Sequence, residues 1–331
     1  MNAVCLLAEP IHGIATEMLE AAGVTVRAAR SPDLAADPSA LADVDAVIVR
    51  NAMPAAAMDE APRLVVVGNH GTGTDAVDVA HASRLGIPVV NTPTGNVDAV
   101  AEHTILLMLA VARRTLAADA ATRARDPRFK YDRPTLSLAG RTLGVIGFGQ
   151  TGRRVAKLAR GIGMNVVVWS PQADAADIAG VGAQRLATLD ALLRTADVVS
   201  LHRPLRPDTR HTLDRDALAL LKPDAIVVNT SRGGLVDEEA LADALEAGRL
   251  FGAGLDVLAE EPLAPSSRLA SIDNVILSPH VAGSTQEALR ETARQCATQV
   301  LDVLQNRRPA SLVDPTVWDR RRVLQERSPC P

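Results

Sequence analysis

Two groups of residues in this 331-residue chain have types and spacings that could do chemistry. The first is the turn Gly147-Phe148-Gly149-Gln150-Thr151-Gly152. It follows the apolar run Leu143-Gly144-Val145-Ile146 and opens a helical pattern through Val155, Ala156, Leu158 and Ala159. In that setting Gly147 permits a tight turn, Gly149 lets the backbone approach a pyrophosphate, and Gly152 lets the helix pack close to the strand. Free N–H groups of the turn, with Gln150 and Thr151 at the helix start, and the helix dipole then face phosphates. The pattern predicts a dinucleotide-binding turn. The next strand, Asn165–Trp169, ends at Ser170, where an acidic residue would bind the ribose and repel a 2′-phosphate. Serine keeps a hydrogen-bonding group without the repulsion, and Pro171-Gln172-Ala173-Asp174 carries no Arg for a phosphate. NAD, NADP or both fit.

The second group is Arg232, Glu261 and His280, each placed after an apolar strand pattern. Singly, each has an ordinary explanation: a solvated loop Arg, a surface Glu beside Pro262, a structural His. Jointly they fit one reaction. Hydride transfer to the carbonyl of a 2-keto acid creates an alkoxide that needs a proton, which His280 can supply. Glu261 nearby would orient the ring and favour its charged form. Arg232 can clamp the substrate carboxylate with two parallel N–H bonds. His202 and Pro204, in Leu201-His202-Arg203-Pro204-Leu205, follow another strand end and are expected to shape the cofactor wall rather than react.

The elements that must position these residues are short β-branched runs alternating with Ala/Leu-rich helical patterns. Strands are expected at Ala3–Leu7, Val24–Ala28, Ala46–Arg50, Leu64–Gly68 and Ile87–Val90, then at Thr142–Gly147, Asn165–Trp169, Asp197–Leu201, Ala225–Asn229, Ala253–Asp256 and Asn274–Ser278. Continuous apolar strands separated by amphipathic helices predict parallel sheets covered on both faces, a doubly wound α/β class. The turn-rich Asn91-Thr92-Pro93-Thr94-Gly95 precedes a long helix from about Val97 to Ala118, and Ala282-Gly283-Ser284-Thr285 precedes another to about Gln305. These two places divide the chain into a discontinuous lobe, residues 1–94 plus 285–331, and an inserted dinucleotide-binding lobe, 95–284. Arg320–Pro331 lacks apolar periodicity and is expected to fray.

Composition narrows the function classes. A net charge of -4 gives no basic face for nucleic acid. Aromatics are only 2%, so the core must be Ala, Val, Leu and Ile. Cys5, Cys296 and Cys330 lie too far apart in sequence for a metal clip or a redox dithiol, and a reducing cytosol is expected. Residues Met1–Leu7 lack a basic leader, and the apolar stretch Thr104–Ala112 is too short for a bilayer span of ~20 residues. No membrane association is expected. His12, His70, His81 and His211 have no metal-ligand spacing, His103 is expected to pack or bridge, and Asp237-Glu238-Glu239 suits a helix start.

The motifs GNHGTGTDAVDVAHASRLGIPVVNTPTGN, VAEHTILLMLAVAR, GRTLGVIGFGQTGRRVA, LHRPLRPDTRHTLD, VVNTSRGGLVDEEAL, GAGLDVLAEEPL and NVILSPHVAGST, in this order over about Ala46 to Pro315, resemble the D-isomer-specific 2-hydroxyacid dehydrogenases. The resemblance implies a Rossmann cofactor domain inserted in a flavodoxin-like substrate domain. It implies catalytic roles for Arg232, Glu261 and His280, a nicotinamide contact by Asp256 helped by backbone near Thr230, and a homodimer formed through the cofactor lobe. Within the family the nearest likeness is to phosphoglycerate dehydrogenases, through GTGTDAVD and NTPTGN. That likeness makes Arg50 a candidate substrate contact, equally readable as a solvated strand end, and Thr72 and Gly73 candidate carboxylate-binding backbone. Three departures stand out. Ser170 replaces the usual acid, Asn69 stands where many such enzymes have Arg, and the chain ends soon after the returning helix, so no regulatory C-terminal domain is expected.

The expectation is a cytoplasmic NAD(P)-dependent oxidoreductase for a small D-2-hydroxy acid or its keto form, with the substrate between the lobes. Hydroxypyruvate or glyoxylate reduction, oxidation of formate or phosphite, and an NADH-sensing corepressor are the alternatives.

Overall fold

The computed structural model describes residues 2–34, 36 and 38–325, so Cys330 and the last residues of the expected frayed end lie outside the described residues. The chain runs β1 (Ala3–Leu7), α1 (Ile14–Ala21), β2 (Val24–Ala28), β3 (Ala46–Val49), α2 (Ala55–Asp59), β4 (Val66–Asn69), α3 (Val79–Arg84) and β5 (Val89–Val90). It continues through α4 (Val97–Ala112), α5 (Thr115–Arg123), α6 (Phe129–Asp132), β6 (Thr142–Ile146), α7 (Gln150–Gly161), β7 (Asn165–Trp169), α8 (Ala175–Gly180) and β8 (Gln184–Arg185). Then follow α9 (Leu189–Thr195), β9 (Val198–Leu201), α10 (Arg215–Ala219), β10 (Ala225–Asn229), α11 (Glu238–Glu246), β11 (Leu250–Leu255), β12 (Val275–Leu277) and α12 (Gln286–Leu304). Two compact units result, one from the chain up to Asn96 and from Ser284 onward, the other Val97–Gly283.

The first unit holds a five-stranded parallel sheet in the order β2-β1-β3-β4-β5. Strands β1, β3, β4 and β5 are buried on both faces as near-continuous apolar runs, with Leu41, Met53, Met58 and Leu64 on one side and Leu19, Cys296, Val300 and Leu304 on the other, while the edge strand β2 is largely exposed. The second unit holds a seven-stranded parallel sheet, β12-β11-β10-β9-β6-β7-β8. The strand order reverses between β6 and β9, the position at which open α/β sheets take ligands at the carboxyl ends of their strands. Both sheets are thus doubly wound α/β.

Every strand expected from the sequence forms, Ala3–Leu7, Val24–Ala28, Asn165–Trp169 and Ala225–Asn229 with the expected bounds and the others with shifted ends. The two-residue β8 was not expected, since Gln184-Arg185 is exposed and has no apolar signature. The long helix expected over Val97–Ala118 is instead two. It stops at Ala112, Arg114 adopts left-handed backbone (φ 49°), and α5 restarts at Thr115. The composition there stays helical, but α5 has no buried face to continue the packing of α4. The expected fraying from Arg320 is also corrected for its described part. The Arg320 guanidinium donates to the Ser83 carbonyl at 2.5 Å, the Arg322 N–H to the Gly86 carbonyl at 2.7 Å, and Leu324 packs on the first unit's core. Main-chain carbonyls, invisible to an apolar-periodicity reading, hold this segment. Among the described residues no helix is long and apolar enough to cross a membrane, and no cluster of His, Cys, Asp and Glu is arranged to hold a metal ion.

Candidate functional site

The carboxyl ends of the second unit's strands bring the sequence-selected residues to one edge. Read across the sheet they are His280 after β12, Asp256 and Glu261 after β11, Thr230 and Arg232 after β10, His202 and Pro204 after β9, the glycine turn after β6 and Ser170 after β7.

At the glycine turn, Gly147 has φ 94°, and a Cβ there would lie 2.5 Å from the His202 carbonyl oxygen, so backbone conformation and space both demand glycine. A Cβ on Gly152 would collide with the Gly147 carbonyl. Gly149 differs: a Cβ there would meet nothing within 4 Å. It precedes α7, whose N-terminus has no side-chain cap. Open space before uncapped N–H groups is what a pyrophosphate requires, so this turn fits a dinucleotide. His202 lies partly buried beside it, its Nε2 2.8 Å from Ser200 Oγ, and burial pushes its pKa down to about 4, keeping the ring neutral.

The corner around Ser170 contains cations that reading along the sequence missed. Arg185, on β8, donates to the Pro171 carbonyl at 3.3 Å, and the Arg203 guanidinium lies 4.9 Å from the Trp169 ring centroid. Neither lies in the four residues directly after Ser170. Pairing of β7 with β8 supplies the first and the loop after β9 the second.

His280 and Glu261 meet. The Nδ1 of His280 lies 2.9 Å from Glu261 Oε2, and the other oxygen, Oε1, accepts the Leu258 N–H at 3.0 Å. The carboxylate is therefore fixed by its own loop and in turn fixes the ring. The His280 side chain is 51% exposed, leaving Nε2 accessible. A cavity of about 360 Å³ opens here, lined by Asp256, Leu258, Glu261, Pro262, Ser278 and His280 among others.

Asp256 is 1% exposed, and its carboxylate faces the His280 loop. Oδ1 accepts Ser278 Oγ at 2.6 Å and the Val281 N–H at 2.9 Å; Oδ2 accepts the Ala282 N–H at 2.9 Å. Its backbone carbonyl also accepts the His280 N–H at 2.8 Å. These bonds hold His280 in left-handed backbone (φ 54°), which costs a non-glycine residue about 1 kcal/mol.

The Arg232 turn is held by Asn229. The amide Nδ2 donates to the Arg232 carbonyl at 2.8 Å, while Oδ1 accepts the Ser231 N–H at 3.0 Å. A Cβ on the following Gly233 would overlap the Leu258 carbonyl, so this glycine seats the Arg232 turn directly on the Glu261 loop. Glu238 reinforces the contact, its Oε1 accepting the Ala259 N–H at 2.6 Å, and burial pushes its carboxyl pKa up. Asn229, Gly233 and Glu238 escaped the sequence reading because each acts on backbone rather than on a ligand. Asp237 caps α11 by accepting the Ala240 N–H, as the acidic helix start suggested.

In the first unit, Arg50 directly follows β3 and the Gly71–Gly73 turn follows the neighbouring β4. Arg50 is exposed, and the Glu9 carboxylate accepts the Arg50 and Asn51 N–H groups at 2.8 and 3.1 Å. Asn69 is buried and turned inward, donating to the Gly71 and Gly73 carbonyls at 2.9 and 3.0 Å. His70 is 7% exposed, and burial together with the Arg50 charge lowers its pKa to about 4.

Residues 105–282 match the family model for the D-isomer specific 2-hydroxyacid dehydrogenase NAD binding domain. A D-3-phosphoglycerate dehydrogenase of Methanocaldococcus jannaschii is 37% identical over 315 residues, covering 93% of this chain and 59% of that enzyme. A glyoxylate reductase of Thermococcus litoralis is 36% identical over 283 residues, covering 83% of this chain and 85% of that enzyme. Among solved structures, an NADPH-dependent glyoxylate/hydroxypyruvate reductase of Sinorhizobium meliloti in complex with NADP and malonate superimposes with a TM-score of 0.85. It is 28% identical and covers 99% of this chain and 100% of that one. This chain spans between 44% and 59% of the length of the phosphoglycerate dehydrogenases it matches.

Proposed function

The chain belongs to the D-isomer-specific 2-hydroxyacid dehydrogenases, and from that premise we propose that it interconverts a small D-2-hydroxy acid and its 2-keto acid with NAD or NADP. The observation that carries this reading is the His280–Glu261 pair at 2.9 Å, on the sheet edge that also presents Arg232 and the glycine turn. The nicotinamide cofactor, when bound, supplies or accepts the hydride. Gly147, Gly149, Gln150, Thr151 and Gly152 would hold its pyrophosphate, with Ser170 at the ribose and His202, Pro204, Thr230 and Asp256 along the rest of the edge.

Glu261 accepts the Nδ1–H of His280, which leaves Nε2 to give a proton to the carbonyl oxygen in reduction and to take it back in oxidation. Arg232 binds the substrate carboxylate and orients the carbonyl. In the first unit, Arg50 and the backbone of Thr72 and Gly73 are further proposed substrate contacts. The Ser170 corner favours NADP alongside NAD, because the serine brings no anion and Arg185 and Arg203 lie close by.

A second copy of the chain is the proposed partner. Leu106 and Leu109 on α4, Leu116 on α5 and Tyr131 on α6 are exposed apolar groups on consecutive helices. Light scattering should give a dimer mass, and Leu106→Glu with Leu116→Glu should give the monomer. The buried thiols fit a reducing cytosol, that of Cys5 being pushed up to about 12 by burial and that of Cys296 also raised.

The test is the rate of NADH and NADPH oxidation with glyoxylate, hydroxypyruvate, phosphohydroxypyruvate, pyruvate and longer 2-keto acids. Turnover of at least one is expected. Tight cofactor binding without turnover of any would favour a cofactor sensor instead.

A further inference from the structure

Helix α4 is seated on β11 by glycines. A Cβ on Gly254 would lie 2.9 Å from Leu107 Cβ, and one on Gly252 would lie 2.8 Å from Val111 Cγ1. Four helix residues, at ~1.5 Å each, thus advance about as far as two strand residues at ~3.3 Å. Continuing that register by one step, from Leu107 to His103 and from Gly254 to Asp256, places His103 opposite the carboxylate that holds the His280 loop. The structure has His103 Nε2 3.5 Å from Asp256 Oδ1 and 2.9 Å from Ser278 Oγ.

The proton order in this chain is determined by its members. The Ser278 hydroxyl has one hydrogen and directs it at the Asp256 carboxylate, which can only accept. Ser278 Oγ must then accept from His103, so Nε2 of His103 carries the hydrogen. The next residue, Thr104, makes a parallel link. Its hydroxyl donates to the Val100 carbonyl at 2.8 Å and therefore accepts from Thr230 Oγ1, also at 2.8 Å. Two consecutive residues of one helix thus tie down the end of β12, which leads to His280, and the end of β10, which leads to Arg232.

We propose that His103 and Thr104 are positioning residues for the reaction. Helix α4 acts as a brace that sets the proton donor and the carboxylate clamp relative to each other. This inference rests on the functional reading above, but its mechanical part can be measured without turnover.

The experiment combines His103→Leu, Ser278→Ala, their double variant and the rescue variant His103→Gln, each read by three measurements. These are kcat and KM for a 2-keto acid, NADPH affinity by fluorescence titration, and hydrogen exchange of the Val281 and Ala282 amides. His103→Leu should lower kcat by about tenfold to a hundredfold, the scale of a sub-ångström to 1 Å misplacement, with NADPH affinity changed less than about threefold. It should also speed exchange of those two amides. His103→Gln, which keeps an N–H donor, should recover most of both losses. The double variant should be no worse than the more impaired single one, because both remove the same link. Thr104→Val should raise substrate KM while leaving Val281 and Ala282 exchange unchanged.

Wild-type kcat and exchange in His103→Leu, or multiplying losses in the double variant, would overturn the proposal. If the wild-type protein turned over no 2-keto acid, the functional reading would fail, and the exchange data alone would decide the brace.

Discussion

The carboxyl edges of the two sheets are held by similar devices but present different groups. In the Val97–Gly283 unit, buried side chains hold the loops at each step. Asn229 closes the Arg232 turn, Asp256 accepts three donors from the His280 loop, and Gly233 brings the Arg232 turn against the Glu261 loop. In the other unit buried side chains hold backbone as well, Glu9 accepting the Arg50 and Asn51 N–H groups and Asn69 closing the Gly71–Gly73 turn, but the Arg50 side chain that follows β3 is exposed. The comparison teaches that backbone-holding side chains are shared, and that what sets the edges apart is a hydrogen-bonded His280–Glu261 pair on one and an exposed Arg50 guanidinium on the other.

The largest test of the rigid edge is His280→Asn. Turnover should fall by about a thousandfold, within the span of general acid–base effects, while NADPH titration stays within twofold of wild type. The first unit's edge is tested by pH. His70 has a folded pKa of about 4, below its ordinary 6.5, so the folded state binds fewer protons than the unfolded chain between those values. Its contribution is complete above pH 6.5 and is lost as pH falls toward 4, by up to about 3 kcal/mol. Urea denaturation at pH 7 and pH 4.5 should show this loss, and His70→Gln should flatten it. Gly233→Ala should cost about a hundredfold in kcat/KM by prising the Arg232 turn from Leu258. If activity survives, the close seating of those two loops is not needed. The smallest effect expected is from Ser170→Asp: NADPH affinity should drop about tenfold while NADH affinity holds, as an anion at the ribose repels a 2′-phosphate. Equal changes for both cofactors would remove the Ser170 corner from cofactor choice.

Strand patterns and the glycine turn were readable because burial on both faces and phosphate approach each demand particular residue types over a short span. The placement of Arg232, Glu261 and His280 on one sheet edge was readable because each follows a strand pattern. What stayed hidden acts through backbone or across strands. Asp237-Glu238-Glu239 read as favourable charge at a helix start, yet Glu238 binds the Ala259 N–H. Arg185 reaches Pro171 only because β8 pairs with β7. His103 and Ser278 are 175 positions apart, and only the seating of α4 on Gly252 and Gly254 joins them. The break at Arg114 was hidden because helix propensity continues where packing stops.

The most direct test of the central claim is a crystal structure with NADP and a 2-hydroxy acid bound. The substrate hydroxyl should lie within about 3.2 Å of His280 Nε2, with the carboxylate on the Arg232 guanidinium. A bound acid whose hydroxyl lies beyond reach of His280 while Arg232 contacts no part of it would contradict the account.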